Sequence, residues 1–209
     1  MTKDKKLPFH LKEHIDQFGL IGEEAHLKMT PYRKLAPTIP NNHRKGAVLL
    51  LLYFRENEWF FPLIQRQPYE GVHSQQMSFP GGKIELFDQT PYDAALREAN
   101  EEVGVEVTSI DLIEKLSPLY IPPSNFLVYP FVSFYNGMPT FIKDEIEVDE
   151  IVEVPVSELL NKENERQTLV NVKGGMKLKT PYFHLQEKVV WGATAAILAE
   201  FKDILKKLS

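Results

Sequence analysis

FPGGKIELFDQTPYDAALREANEEVGV, residues 79–105, decides how the rest of this chain is read. It opens on a glycine turn, passes through a polar loop and ends in one short helix dense with carboxylates. The helix start is marked by Thr90 as N-cap, Pro91 at the first helical position and Asp93 three residues after the cap, the arrangement of a capping box. Gly104 follows the last helical residue, where a left-handed residue is wanted. At about 100° per residue, Tyr92, Ala95, Leu96, Ala99 and Val103 share one arc, which should face a core. Glu98, Glu101 and Glu102 share a neighbouring arc.

The i, i+3, i+4 spacing of those glutamates puts three carboxylates within reach of one point. Crowded carboxylates repel one another at neutral pH. Two explanations serve: a solvated acidic face, or a site for a hard divalent cation that takes oxygen ligands.

The wider segment resembles the signature box of the Nudix hydrolases: Gly, five residues, Glu, seven residues, then R-E-apolar-x-E-E-x-G-apolar. Arg97-Glu98-Ala99-Asn100-Glu101-Glu102-Val103-Gly104-Val105 matches the second half at every fixed position, and Gly82 matches the start. The spacing from Gly82 to Arg97 is one residue longer than usual, and Asp88 stands where the first Glu belongs. The lengthened loop with Asp is similar to the coenzyme A pyrophosphatase branch. A second motif of that branch, roughly L-L-T-x-R-S, an Arg, a Gly and then F-P-G-G, is kept here in Leu63, Arg66, Phe79, Pro80, Gly81 and Gly82. It departs at Gly71, where the branch has Arg, and at Gln75, where it has Gly.

A length of 209 residues suits one domain with a proper core. The expected division is a helical lead-in over 1–40 and a Nudix domain over 41–209. The net charge of −5 argues against a nucleic-acid partner. With no cysteine, thiolate catalysis, disulfides and Cys-ligated zinc are excluded. The beginning, MTKDKKLPFHLKEH, has no apolar core for a signal peptide, and the longest apolar run, 47–54, is too short to span a bilayer. The expectation is a cytoplasmic protein that binds neither membrane nor nucleic acid, with a homodimer left open.

Outside the box, 7–18 has helical spacing and 22–29 reads as a second short turn or helix. AVLLLLYF (47–54) and WFFPLIQ (59–65) read as two strands of a hairpin, with burial on both faces. Pro62 within the second suggests an edge or a bulge. LSPLYI (116–121) and FLVYPFVSF (126–134) read as strands joined by Pro122-Pro123-Ser124-Asn125. Residues 143–153 are acidic, and Glu145, Glu147, Asp149 and Glu150 are equal candidates for a base or an extra ligand. VPVSELL (154–160) is similar to the family's strand-to-helix passage. Residues 169–182, with Gly174-Gly175, suggest a hairpin, and 193–208 an amphipathic packing helix. His10, His14 and His26 lack the spacing of a zinc site and read as surface or packing residues.

The resemblance implies the Nudix fold, an α/β (α+β) mixed sheet sandwiched between helices. It implies Mg²⁺ or Mn²⁺ held by Glu98, Glu102, Glu101 and the Gly82 carbonyl, with Arg97 ion-paired to a catalytic Glu. Arg66, Ser124 and Asn125 become candidates for contact with a small nucleotide substrate. The implied reaction is metal-dependent cleavage of coenzyme A or acyl-CoA to 3′,5′-ADP and (acyl)phosphopantetheine. ADP-ribose or a dinucleotide is the alternative substrate within the family. A non-catalytic Nudix module would usually have lost the box glutamates, which are kept here, and the related isopentenyl diphosphate isomerase needs a cysteine.

Overall fold

The continuous apolar run forms strand β1 (Arg44–Arg55), and its two faces enter two separate cores. The computed structural model of the protein describes residues 2–30, 38–67, 76–171 and 177–208. Alternate side chains of a strand point to opposite faces. Leu50 and Leu52 therefore join one apolar cluster, while Ala47, Leu49 and Leu51 join the other.

Strand β1 turns into β2 (Glu58–Arg66) through Glu56 and Asn57, both at positive φ (52° and 64°), as a two-residue hairpin turn requires. Short strands β3 (Met77–Ser78) and β4 (Gly81–Lys83) follow; β3 pairs with β2 and β4 with β1, both antiparallel. Helix α3 (Pro91–Val103) comes next, then β5 (Ile110–Lys115), β6 (Leu119–Ile121), β7 (Phe126–Tyr135) and β8 (Val148–Pro155). Strand β7 runs parallel to β1, with Leu49 opposite Phe131, and the other pairings are antiparallel. The result is a mixed sheet of eight strands among the described residues.

Helix α3 covers one face, where Ala95, Ala99 and Val103 meet Ala47 and Leu49 of β1. The other face is covered by α1 (Leu7–Phe18), α4 (Val156–Leu160) and α5 (Gly192–Lys207), with Leu11, Leu159 and Phe201 in the shared core. The mixed sheet between helices is the architecture anticipated above. A second sheet of β9 (Glu165–Asn171), β10 (Lys177–Leu185) and β11 (Lys188–Trp191) leads into α5. The Gly174-Gly175 tip proposed for its first hairpin lies outside the described residues, but β9 and β10 pair antiparallel on either side of it.

One strand reading needs correction. The 116–121 segment is a strand only over β6; Leu116 instead continues the ladder of β5, donating its N–H to the Pro130 carbonyl at 2.8 Å. Strand β5, IDLIEK, is not legible in the sequence: its apolar residues do not alternate cleanly, and it forms because it borders β7. Pro62 pairs with Glu153 of β8, and on the other side of β2 it falls between the β1 pairing, which ends at Phe60, and the β3 pairing, which begins at Ile64.

The short helix α2 (Glu23–Leu27) is fastened by a buried carboxylate on α5. Glu200 is fully buried and accepts from the Gly22 N–H (2.8 Å), the Ser117 hydroxyl (2.7 Å) and N–H (3.1 Å), and lies 3.2 Å from His26 Nε2. His26 is thus a packing residue, as its spacing suggested.

Candidate active site

Helix α3 is placed by its ends. Thr90 accepts from the Asp93 N–H and Asp93 accepts from the Thr90 N–H at 2.8 Å, so the capping box forms in full. Gly104 closes the helix at φ +66°, and a Cβ there would stand 2.8 Å from the Ile142 carbonyl, so conformation and space both demand glycine.

The glycine pair ahead of the helix is held more tightly. Gly81 has φ +148°, and a Cβ on it would meet the Ala47 carbonyl at 2.4 Å. A Cβ on Gly82 would lie 2.4 Å from Glu98 Oε2, so the Glu98 carboxylate rests directly against the Gly82 backbone. Gly82 and Glu98, sixteen positions apart in sequence, are in contact here.

Glu102 points inward rather than onto an open face. It is 1% exposed, and its Oε2 accepts from the Gly81 N–H at 2.7 Å. Its Oε1 lies 3.1 Å from Arg66 Nη2, an ion pair, but accepts no hydrogen bond among the described residues; that nitrogen donates to the Gly81 carbonyl at 2.7 Å. Burial pushes the Glu102 carboxyl up to about 7; Arg66 and the Gly81 N–H pull against this, while Glu98 and Glu147 add to it. Burial also raises Glu98, opposed by Arg97 and reinforced by Glu101 and Glu147.

Arg97 is the hub of the remaining acids. It grips Asp88 with Nε (3.0 Å) and Nη2 (3.1 Å), reaches Glu98 at 2.8 Å and Glu101 at 2.9 Å, and donates to the Lys83 carbonyl at 3.1 Å. Asp88, where the family pattern has Glu, is therefore a partner for the arginine fork, which holds its carboxyl below the usual range. Glu101 is more than half exposed and faces Arg97.

The three glutamates therefore do not meet at one point, as the helical spacing alone suggested. Among the described residues no three His, Asp or Glu side chains gather closely enough to hold an ion. What the structure brings together is a pair, Glu98 and Glu102, beside Gly82. The pair fits a hard divalent cation: its donors are all oxygen, and one buried oxygen accepts no hydrogen bond among the described residues.

Of the four loop acids, Glu147 is the one whose charge bears on both Glu98 and Glu102. The Asp144 N–H donates to the Glu102 carbonyl at 3.0 Å, docking the loop on α3, and Asp144 Oδ1 accepts from the Glu147 N–H at 2.8 Å. Glu145 pairs with Lys143 and Glu150 with Lys188. The sequence offered no signal for choosing Glu147, since it acts on residues far from it in the chain.

A cavity of about 320 Å³ adjoins Gly82, with Arg66, Lys83 and Ser124 in its lining. Asn125 does not line it; its side chain accepts from the Tyr120 hydroxyl (2.9 Å) and donates to the Asn42 carbonyl (3.2 Å), holding the turn. Gly71 and Gln75 lie outside the described residues.

Comparison with known proteins bears on family and fold. The profile of the NUDIX domain matches residues 43–172. The uncharacterized Nudix hydrolase NudL of Yersinia enterocolitica is 31% identical over 157 residues, covering 75% of this chain and 79% of that protein. NudL of Yersinia pestis (strain Pestoides F) is 28% identical over 189 residues, covering 90% and 92%. The crystal structure of a Nudix hydrolase from M. smegmatis, RenU, superposes with a TM-score of 0.52 over 78% of this chain and 87% of its own, at 14% identity, a likeness of fold.

Proposed function

Because the chain belongs to the Nudix family, we propose that it hydrolyses the diphosphate bond of a nucleoside diphosphate derivative, that the reaction needs Mg²⁺ or Mn²⁺, and that the substrate is coenzyme A or an acyl-CoA. The products are then 3′,5′-ADP and (acyl)phosphopantetheine, with water added across one P–O bond. The observation that carries the reading is Glu102, a buried carboxylate with one oxygen that accepts no hydrogen bond among the described residues, set beside Glu98 and the Gly82 backbone.

Glu98 and Glu102, with the Gly82 carbonyl, would hold the ion. A divalent ion there supplies neutralisation of the diphosphate charge and a bound water of lowered pKa. Arg97 fixes the rotamer of Glu98 and shares its charge with Glu101 and Asp88, which makes it a positioning residue. Arg66 holds Glu102 and Gly81 in register and lines the cavity, where its remaining donors face a phosphate. Glu147 is the loop carboxylate we assign to accept the proton from the attacking water. The enzyme is read as a cytoplasmic one; among the described residues no helix is long and apolar enough to cross a membrane.

Gly71, standing where the coenzyme A branch has Arg, favours the alternative, ADP-ribose or a dinucleotide. A panel of coenzyme A, ADP-ribose and diadenosine polyphosphates with each ion decides. Turnover of coenzyme A above the others supports the reading. Turnover of ADP-ribose with none of coenzyme A transfers it to the alternative, and turnover of nothing overturns it.

A further inference from the structure

The matched family domain ends at residue 172, but the cavity beside Gly82 does not. One wall comes from within the matched span, through Val48, Phe126 and Val128. The facing wall comes from the junction of β11 and α5, through Trp191, Ala193, Thr194 and Ile197. That second wall is well anchored. Trp191 is paired with Tyr182 across the β10–β11 ladder, the Thr194 hydroxyl donates to the Met77 carbonyl at 2.9 Å, and Glu200 ties the same helix to α2 and Ser117.

The chemistry of the lining is uneven along its length. Its charged side chains among the described residues are Arg66 and Lys83, both adjoining the Gly81-Gly82 pair. The remainder is apolar apart from Gln76 and hydroxyls. The Ser124 hydroxyl, on a residue 9% exposed, and the Ser78 hydroxyl are both buried without a hydrogen-bond partner among the described residues. Two unsatisfied hydroxyls in an apolar hole are costly unless a ligand bonds to them. The volume, at the lower end of the roughly 300–1,000 Å³ of small-molecule sites, suits one arm of a substrate rather than the whole.

We propose that the β11–α5 junction is the selectivity wall of the enzyme. Trp191, Ala193 and Ile197 pack an uncharged aliphatic arm carrying amide groups, and Ser78 and Ser124 hydrogen-bond to those amides, while the diphosphate lies at Gly82. Substrate choice is then made by a segment C-terminal to the matched NUDIX domain. The proposal rests on the diphosphatase reading, and its test is kept separable from it.

The first arm of the test needs neither metal nor turnover. The chain has two tryptophans, Trp59 and Trp191, and Trp59 is buried with its Nε1 donating to the Asp4 carbonyl. Intrinsic fluorescence is titrated with pantetheine and, separately, with adenosine. A saturable change with pantetheine that persists in Trp59→Phe and vanishes in Trp191→Phe is expected. A change with adenosine but not pantetheine, or no change with either, overturns the assignment.

The second arm fills the cavity with Ala193→Phe, its folding checked by thermal melting against the parent. The KM for coenzyme A should rise tenfold or more with kcat within about twofold. Unchanged KM, with coenzyme A still hydrolysed, sinks the selectivity wall and leaves the diphosphatase reading standing. Should no diphosphate be turned over by the parent, that reading fails, and the fluorescence titration still decides the cavity's occupant.

Discussion

Glu102 couples the chemistry of the site to the stability of the fold. Its carboxyl titrates near 7 in the folded chain against an ordinary 4.5. As pH rises from about 4.5 through 7 the unfolded state gives up this proton first, so the folded state loses stability, and above 7 the whole penalty, on the order of 3 kcal/mol, is present. Glu102→Gln should therefore raise the melting temperature of metal-free protein at pH 8 and leave it nearly unchanged at pH 4.5, while lowering kcat by several orders of magnitude. Melting curves at the two pH values, with and without Mg²⁺, check this. A variant destabilised at pH 8 without metal, or one of near-normal activity, contradicts it. Arg97 is a residue of another kind, since its value lies in its fork. Lysine keeps the charge but cannot grip Asp88 with two nitrogens while reaching Glu98. Arg97→Lys should cut kcat/KM about 10–100-fold with smaller loss in KM, read from initial rates.

At the scale of elements, α5 is the strut behind the cavity, and Glu200 is what fastens it. Burial would raise that carboxyl, but the hydrogen bonds from His26, Ser117 and the Gly22 N–H outweigh it and hold the carboxyl below its ordinary value. A depressed carboxyl stabilises the fold at pH values above the ordinary 4.5, and that stability is lost as pH falls through the folded value. Glu200→Gln should thus be less stable than the parent by about 1–3 kcal/mol at pH 7. The gap should narrow at pH values under 4.5, as urea midpoints across pH 3–7 would show. Helix α3 was legible from the chain alone to its terminal residues, because a cap, a proline and a C-terminal glycine are signals acting within a few positions. Strand β5 was not legible, because its reason for being extended is the neighbouring edge of β7.

For the molecule as a whole, the lead-in is part of the core rather than an appendage. Leu7, Leu11 and Ile15 of α1 are buried in the cluster that also holds Leu198 and Phe201 of α5. Removing residues 1–40 would strip this face and expose contiguous apolar surface, the condition for aggregation. The truncated chain should express insoluble or melt well below the full chain, as circular dichroism and sedimentation would report; a soluble truncation of unchanged stability would show the lead-in to be separable. The site is likewise an assembly of distant pieces: the end of β2, the glycine pair of β4, helix α3, the loop at Glu147 and the start of α5.

The chain by itself determined what short-range forces determine: the capped helix, the buried strand run of β1 and the presence of Glu98, Glu101 and Glu102 on one flank, whereas the glycine turn read at 81–82 is strand β4, extended by its pairing with β1. Hydrogen bonds between near neighbours and the period of a helix need no further context. Tertiary structure alone decided that Glu102 turns inward to Gly81 and Arg66, that Asn125 is tied to the Asn42 carbonyl and that Trp191 faces the cavity. Those outcomes depend on which surfaces the packed sheet and helices bring within a few ångströms of one another, and no spacing along the chain encodes that distance.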